Sequence, residues 1–329
     1  MCSAESKGNV IDVRSLGVLF RSDGKDVGIL RDVSFSIGKG ELFAVVGESG
    51  SGKSITALSI MSLLPRGFRI SSGSVRFFGE ELAGASQKRM MSLRGDRIAM
   101  IFQDPLTALN PLLTIGFQIS ESLVLHRHVS KKEGLDRAAE LLEKVGIPDG
   151  RDRLSSYPHQ LSGGMRQRVM IASAVSCEPD LLIADEPTTA LDVTVQASIM
   201  RLIKRLCSER GTALMLISHN LSLVRNTCSK VAVMYSGSVQ EACHSAELFE
   251  RPLHPYTRML IECLPKIGGS ERLKSIGGSP PSPAMRPAGC PFNPRCPSVM
   301  DVCRERVPDF AEVSGGHFVR CFLYDGKAD

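Results

Sequence analysis

The sequence predicts an α/β fold: a P-loop (phosphate-binding loop) core with a mainly parallel sheet, an N-terminal antiparallel β subdomain, an inserted helical subdomain and a short Cys-rich C-terminal extension. Three observations carry this. A glycine-rich loop follows the unbroken apolar run Leu42-Phe43-Ala44-Val45-Val46, strands and helices alternate again from Leu181 to Met234, and Cys290, Cys296, Cys303 and Cys321 crowd the last forty residues.

Residues 10–46 alternate short β-type runs with Gly and Asp turn signals, which makes the opening sheet-rich. Leu42 to Val46 is apolar without alternation, as a parallel strand covered on both faces requires, and a helix is expected over 53–64, before Pro65. A hairpin-like stretch, 74–79, precedes a strand over 97–102. Between Asp104 and Gln160 the texture becomes helical, with Leu135, Ala138, Ala139, Leu142 and Val145 on one face, so about 104–160 reads as the helical insert. The runs at 181–184, 213–217 and 231–234, with a helix over 193–209 between the first two, restore the α/β pattern. Pro and Gly dominate from Pro252, most densely over 277–283, where a linker leads to the tail. The division expected is a nucleotide-binding domain over 1–255 and an extension over 256–329.

A chain of 329 residues is a prior for about two packed units. Its 40 basic and 35 acidic residues give a net charge of +5, mixed in sign and no argument for nucleic acid. No run approaches the ~18 apolar residues of a spanning helix, and the first nine residues lack an apolar leader, so a cytosolic location is expected. Reduced thiols or metal ligands are therefore expected of the ten cysteines, rather than disulfides.

Gly47-Glu48-Ser49-Gly50-Ser51-Gly52-Lys53-Ser54 fits G-x-x-x-x-G-K-[ST] at every fixed position. The glycines let backbone N–H groups wrap phosphates at a helix N-terminus, Lys53 reaches the β and γ phosphates, and Ser54 supplies a hydroxyl to Mg²⁺. The strand Leu181-Leu182-Ile183-Ala184 ends in Asp185, placed to hold Mg²⁺ through water, and Glu186, placed to act as general base on a water. Leu161-Ser162-Gly163-Gly164-Met165 opens another helix, with Ser162 a candidate N-cap. Its two glycines expose N–H groups at a positive helix end, which makes a second anion site beside the simpler reading of capping.

With these motifs the chain resembles the ATP-binding cassette family over residues 10–255. Leu161 to Met165 resembles the family signature, with Met165 where Gln is usual. The resemblance implies that the signature elements Ser162, Gly163 and Gly164 of one subunit close on ATP held by the phosphate loop of another. It further implies that Gln103 senses Mg²⁺ and the attacking water, that Asp192 in Ala190-Leu191-Asp192 is the D-loop aspartate, and that His219 contacts the γ-phosphate. Phe20 is the candidate for stacking on adenine.

Residues 102–111, 185–196 and His254-Pro255-Tyr256-Thr257 are similar to the ATPase subunits of bacterial dipeptide, oligopeptide and nickel importers. The resemblance implies a D-type ATPase at the cytoplasmic face of the membrane, with a second ATPase subunit, two permeases and an external solute-binding protein. The helical insert would contact the permeases. A soluble nucleic-acid-handling ATPase of the same family is the rival reading. Against it stand the single cassette, the lack of a long coiled-coil insertion and little clustering of basic residues with aromatics.

The tail cysteines are spaced more widely than common zinc pairs, and Pro follows Cys290 and Cys296 as in iron–sulfur runs. Arg295, Arg304, Arg306 and Arg320 are placed to offset thiolate charge. The importer group implies a [4Fe–4S] cluster on Cys290, Cys296, Cys303 and Cys321, with zinc and a metal-free tail as the alternatives.

Overall fold

The computed structural model describes residues 8–22, 24–189, 191–264 and 275–325. Residues 1–7, on which the reading of the leader rests, and Ala190 lie outside the described residues. The described residues form two compact units, one within 11–36, 42–83 and 217–325, the other within 84–216 with the short pieces 8–10 and 37–41.

The first unit begins with β1 (Asn9–Ser22), β2 (Lys25–Gly38), β3 (Leu42–Val46), α1 (Lys53–Ile60), β4 (Phe68–Phe77) and β5 (Glu80–Glu81). One sheet has the order β2-β1-β4-β5, with β1 and β4 antiparallel from Ile11 opposite Phe77 to Phe20 opposite Phe68. The strands are longer than the short runs of the sequence suggested. Asp32 adopts the left-handed region (φ 51°) within β2 without ending it, so a residue that reads as a turn is absorbed by the strand. Helix α1 stops at Ile60 rather than near residue 64, because Ser62 is left-handed (φ 50°).

The second unit holds α2 (Gln87–Leu93), β6 (Ile98–Ile101), α3 (Pro105–Ala108), α4 (Ile115–Arg127), α5 (Lys131–Lys144), α6 (Gly150–Arg153), α7 (Gly163–Val175), β7 (Leu181–Asp185), α8 (Val193–Arg210) and β8 (Ala213–Ser218). Strands run in the order β8-β7-β6, with β6 and β7 parallel from Ile98 opposite Leu181 to Ile101 opposite Ala184. All four residues of β6 and all five of β7 are buried, as a strand covered on both faces demands. Thr114, Ser130, Ser162 and Asp192 each accept a hydrogen bond from a first-turn amide of α4, α5, α7 and α8. These caps fix where those four helices begin. On α5, Ala138, Ala139 and Leu142 are buried but Leu135 is 38% exposed. The packed face is turned by one residue, to Gly134, where a Cβ would come within 3.2 Å of the Ser120 Cβ on α4.

The first unit resumes with α9 (Leu221–Thr227), β9 (Lys230–Tyr235), β10 (Ser238–His244), α10 (Ser245–Glu250), α11 (Pro255–Glu262), α12 (Asp301–Glu305), β11 (Ala311–Ser314) and β12 (His317–Val319). Its second sheet has the order β11-β12-β10-β9-β3, parallel between β3 and β9 and antiparallel from β9 outward. The tail thus supplies two strands to the sheet that carries the glycine-rich loop. A short segment with little core of its own gains burial by extending an existing sheet.

Candidate functional site

The phosphate loop hangs between β3, whose last four residues are buried, and α1. Gly47 (φ 152°) and Gly52 (φ 103°) hold conformations that side chains disfavour. A Cβ at Gly47 would lie 2.2 Å from the Met234 carbonyl oxygen, and one at Gly52 2.5 Å from Leu30 Cδ2. Only glycine fits at either place. Lys53 is buried, and its Nζ donates to the carbonyls of Gly47 and Glu48, both at 2.9 Å, which folds the ammonium back under the loop. The Gly237 N–H donates to the Ser51 carbonyl at 2.9 Å, tying the loop to the β9–β10 turn.

Glu48 is held from the tail side of the same unit. Its N–H donates to the Tyr256 hydroxyl at 3.0 Å, and its carboxylate accepts both Arg295 Nη atoms at 3.0 and 3.1 Å. Burial pushes the Tyr256 phenol well up, so it stays neutral. His254 is also neutral: burial lowers its pKa to about 4, and its Nδ1 accepts from the Tyr256 N–H at 3.0 Å to start α11. Phe20, the candidate adenine contact, is half-buried and packs on Phe68 with ring centroids 4.6 Å apart.

In the second unit, Asp185 ends β7 buried, and Glu186 follows in the left-handed region (φ 46°). A non-glycine residue held there costs about 1–3 kcal/mol. Glu186 Oε2 accepts from Gln103 Nε2 at 3.1 Å and from Thr189 Oγ1 at 3.0 Å. Two residues 83 positions apart therefore meet at one carboxylate oxygen. His219, exposed, follows β8, and Ser54 lies in the first turn of α1.

Ser162 is exposed and caps α7, its Oγ accepting from the Met165 N–H at 3.4 Å. Gly163 has open space where a Cβ would stand. Asp192 is exposed and caps α8, accepting from the Val195 N–H at 2.9 Å.

The tail brings Cys290, Cys296, Cys303 and Cys321 to one pocket, with Phe292, Asn293 and Phe322 among its other walls. The Cys290 N–H donates to the Cys303 carbonyl at 2.8 Å, and Asn293 Nδ2 donates to the same oxygen at 3.2 Å. Burial pushes the Cys290 and Cys321 thiols up to about 11, and the nearby sulfurs add to the rise. Among the described residues, the one set of three ligand atoms within 4.8 Å of one another is Glu241, Cys243 and His317, so no three of the four tail sulfurs are that close. Two of those three are already occupied: buried Glu241 accepts from the Leu253 and His254 amides and from His317 Nε2, while His317 Nδ1 pairs with Glu247.

The arginines expected to offset thiolate charge are partly spent elsewhere. Arg295 is taken by Glu48, Arg320 pairs with Asp32 Oδ2 at 2.7 Å, and Arg306 lies over the Phe322 ring. The arginine whose charge eases ionisation of Cys321 is Arg258, outside the Cys-rich stretch. Sequence reasoning missed Arg295 and Tyr256 as partners of the phosphate loop. The only local signal was the Cys-Pro framing of Arg295, which points to a metal rather than to Glu48.

Comparison with known proteins gives a consistent picture. Residues 30–189 match the ABC transporter family, and residues 241–303 match the oligopeptide/dipeptide transporter C-terminal region. The oligopeptide transport ATP-binding protein AppD of Bacillus subtilis is 47% identical over 96% of this chain and 97% of its own length. The dipeptide transport ATP-binding protein DppD of the same organism is 47% identical over 97% and 96%, and OppD of Escherichia coli 45% over 95% and 93%. Among solved structures, the dimeric post-hydrolysis state of the ATP-binding cassette MJ0796, bound to ADP and phosphate, superposes with a TM-score of 0.65 at 27% identity, covering 71% of this chain and 98% of that one.

Proposed function

The chain belongs to the ABC transporter family, among the ATP-binding proteins that carry the oligopeptide/dipeptide C-terminal region, and from that premise we propose that it is the motor of a peptide importer. The observation that carries this is the likeness to AppD and DppD along almost the whole of both chains, tail included. An ATPase engaged on nucleic acid would need neither that tail nor its sheet pairing.

In this reading Gly47 to Gly52 present backbone amides to the polyphosphate, Lys53 reaches the β and γ phosphates, and Ser54, Gln103 and, through water, Asp185 hold Mg²⁺. Glu186 takes a proton from the attacking water. The contact between Gln103 and Glu186 supports one role for the pair, since a water held by the glutamine would lie within reach of the carboxylate. His219 contacts the γ-phosphate. Ser162, Gly163 and Gly164 meet ATP on a partner subunit, and the exposure of Ser162 and the open space at Gly163 support that use. Asp192 lies at the same interface.

Residues 1–255 form the nucleotide-binding domain, 256–329 the extension, and about 104–160 the insert that docks on two permeases. Leu106, Leu112 and Phe117 support the docking, being 62, 82 and 45% exposed on elements that follow Gln103. No helix among the described residues is long and apolar enough to cross a membrane. The protein works peripherally at the cytoplasmic face, paired with a second ATPase and served by an external binding protein.

Cys290, Cys296, Cys303 and Cys321 fit a [4Fe–4S] cluster. Their sulfurs converge yet stand farther apart than ligands of a single tetrahedral zinc, where Zn–S bonds of ~2.3 Å bring sulfurs to roughly 3.8 Å of one another. The cluster would supply a cross-link that stiffens the tail.

The proposal is tested by assembling the chain with its two permeases and second ATPase in vesicles and measuring peptide-dependent ATP hydrolysis and uptake. Glu186→Gln should keep ATP binding and cut hydrolysis at least about 100-fold. Hydrolysis persisting at its own composite site would remove Glu186 as the base, and uptake of no peptide would overturn peptide import.

A further inference from the structure

An acidic side chain inside a polyanion-binding loop is an electrostatic liability. Glu48 stands between Gly47 and the amides that face phosphate, and like charges a few ångströms apart repel by about 1 kcal/mol or more even when well hydrated. The tail removes the liability. Arg295, 7% exposed, makes a two-pronged pair with Glu48, itself 22% exposed, and this planar match is the geometry that guanidinium and carboxylate favour.

Arg295 is itself held on every side. It donates to the Tyr235 hydroxyl at 3.2 Å and the Gly277 carbonyl at 2.9 Å, and its guanidinium lies 5.7 Å from the Tyr235 ring centroid. It sits on the six-residue step from Cys290 to Cys296, in the short helical turn Asn293–Arg295 that the Asn293 amide ties to the Cys303 carbonyl. In that turn Phe292, fully buried, packs on Tyr235 and on Tyr256, the residue that accepts the Glu48 N–H. The cysteine-framed turn therefore grips Glu48 by its carboxylate through Arg295 and braces the residue that grips its amide.

We propose that Arg295 is a positioning residue of the phosphate loop, neutralising Glu48 and drawing its carboxylate off the phosphate path, so that nucleotide affinity depends on the Cys-rich tail. The inference rests on the ATP-site reading above. It also gives the tail a task inside this chain, beyond marking a transporter type.

The test measures binding of a fluorescent ATP analogue to the full-length chain and the KM for ATP in the assembled importer. Arg295→Ala, and Arg295→Met, which keeps an apolar stem against Tyr235 and Phe292, should weaken affinity about tenfold and raise KM in step, with kcat at saturating ATP within about twofold. Adding Glu48→Gln to either variant should recover most of the loss, because the uncompensated charge is gone. A tail that merely packs would not be rescued by a change at Glu48. Unchanged affinity in the arginine variants, or a loss that Glu48→Gln leaves intact, overturns the proposal. If the unaltered chain fails to bind the analogue, the ATP-site reading falls first and this inference with it.

Discussion

The two glycine-rich segments of this chain, the phosphate loop at Gly47 to Ser54 and the Ser162-Gly163-Gly164 stretch, are anion sites of the same kind at sequence level and differ sharply in how they are held. The first is braced at long range: Lys53 folds under it, Gly237 ties Ser51, and Tyr256 and Arg295 clamp Glu48 from 208 and 247 residues away. The second is fixed by its own helix, with Ser162 exposed and capping α7, and by Val195 of α8 close to Gly164. A loop that must bind phosphate unaided needs preorganised donors. On the proposed reading the second segment serves another subunit and needs only to be presented.

The comparison breaks most decisively at Lys53. Lys53→Ala should weaken nucleotide binding to the isolated chain by about 10- to 100-fold, from the loss of charge-assisted hydrogen bonds worth roughly 1.5–3 kcal/mol, as read by titration calorimetry. Equal affinity would mean that the braced loop is not the phosphate site.

Ser162→Ala should separate binding from turnover. ATP affinity of the isolated chain is expected to stay within about twofold, while hydrolysis in the assembled importer falls several-fold. Lost capping should cost about 1 kcal/mol in denaturant unfolding. A loss of affinity in the isolated chain would show the second segment to be part of the chain's own ATP site.

The smallest expected effect concerns the strand that brings the tail to the sheet. His317 on β12 lies between Glu241 and Glu247, and although its burial opposes charging, hydrogen bonds to the two carboxylates raise its pKa above the usual imidazole value. A raised folded-state pKa means that the added stability is fully present below about pH 6.5, the unfolded value, and is lost as pH rises through the folded value. The melting-temperature advantage of the unaltered chain over His317→Gln should therefore shrink from pH 6 toward alkaline pH. An advantage that grows with pH would show His317 to be neutral in the folded protein.

Much of the fold was legible because its signals are local. The glycine spacing at 47–54, the unbroken apolar runs that became β3 and β7, and the cap at Ser162 depend on residues a few positions apart. The long strands β1 and β2 were read as shorter runs, since pairing across a sheet can carry a turn-forming residue such as Asp32. Leu135 was placed on the wrong side of its helix because the close approach of α4 at Gly134 sets the face, and no periodicity within α5 records it.

The sequence by itself determined that the chain belongs with the cassette ATPases and carries the phosphate-loop pattern at Gly47 to Ser54, because those motifs are short and their chemistry follows from residue type and spacing. Only the tertiary structure decided what Glu48 and Arg295 do. Their pairing across 247 positions has no periodic or compositional trace, and it exists because β12 joins β10 and brings the tail to the unit that carries the phosphate loop.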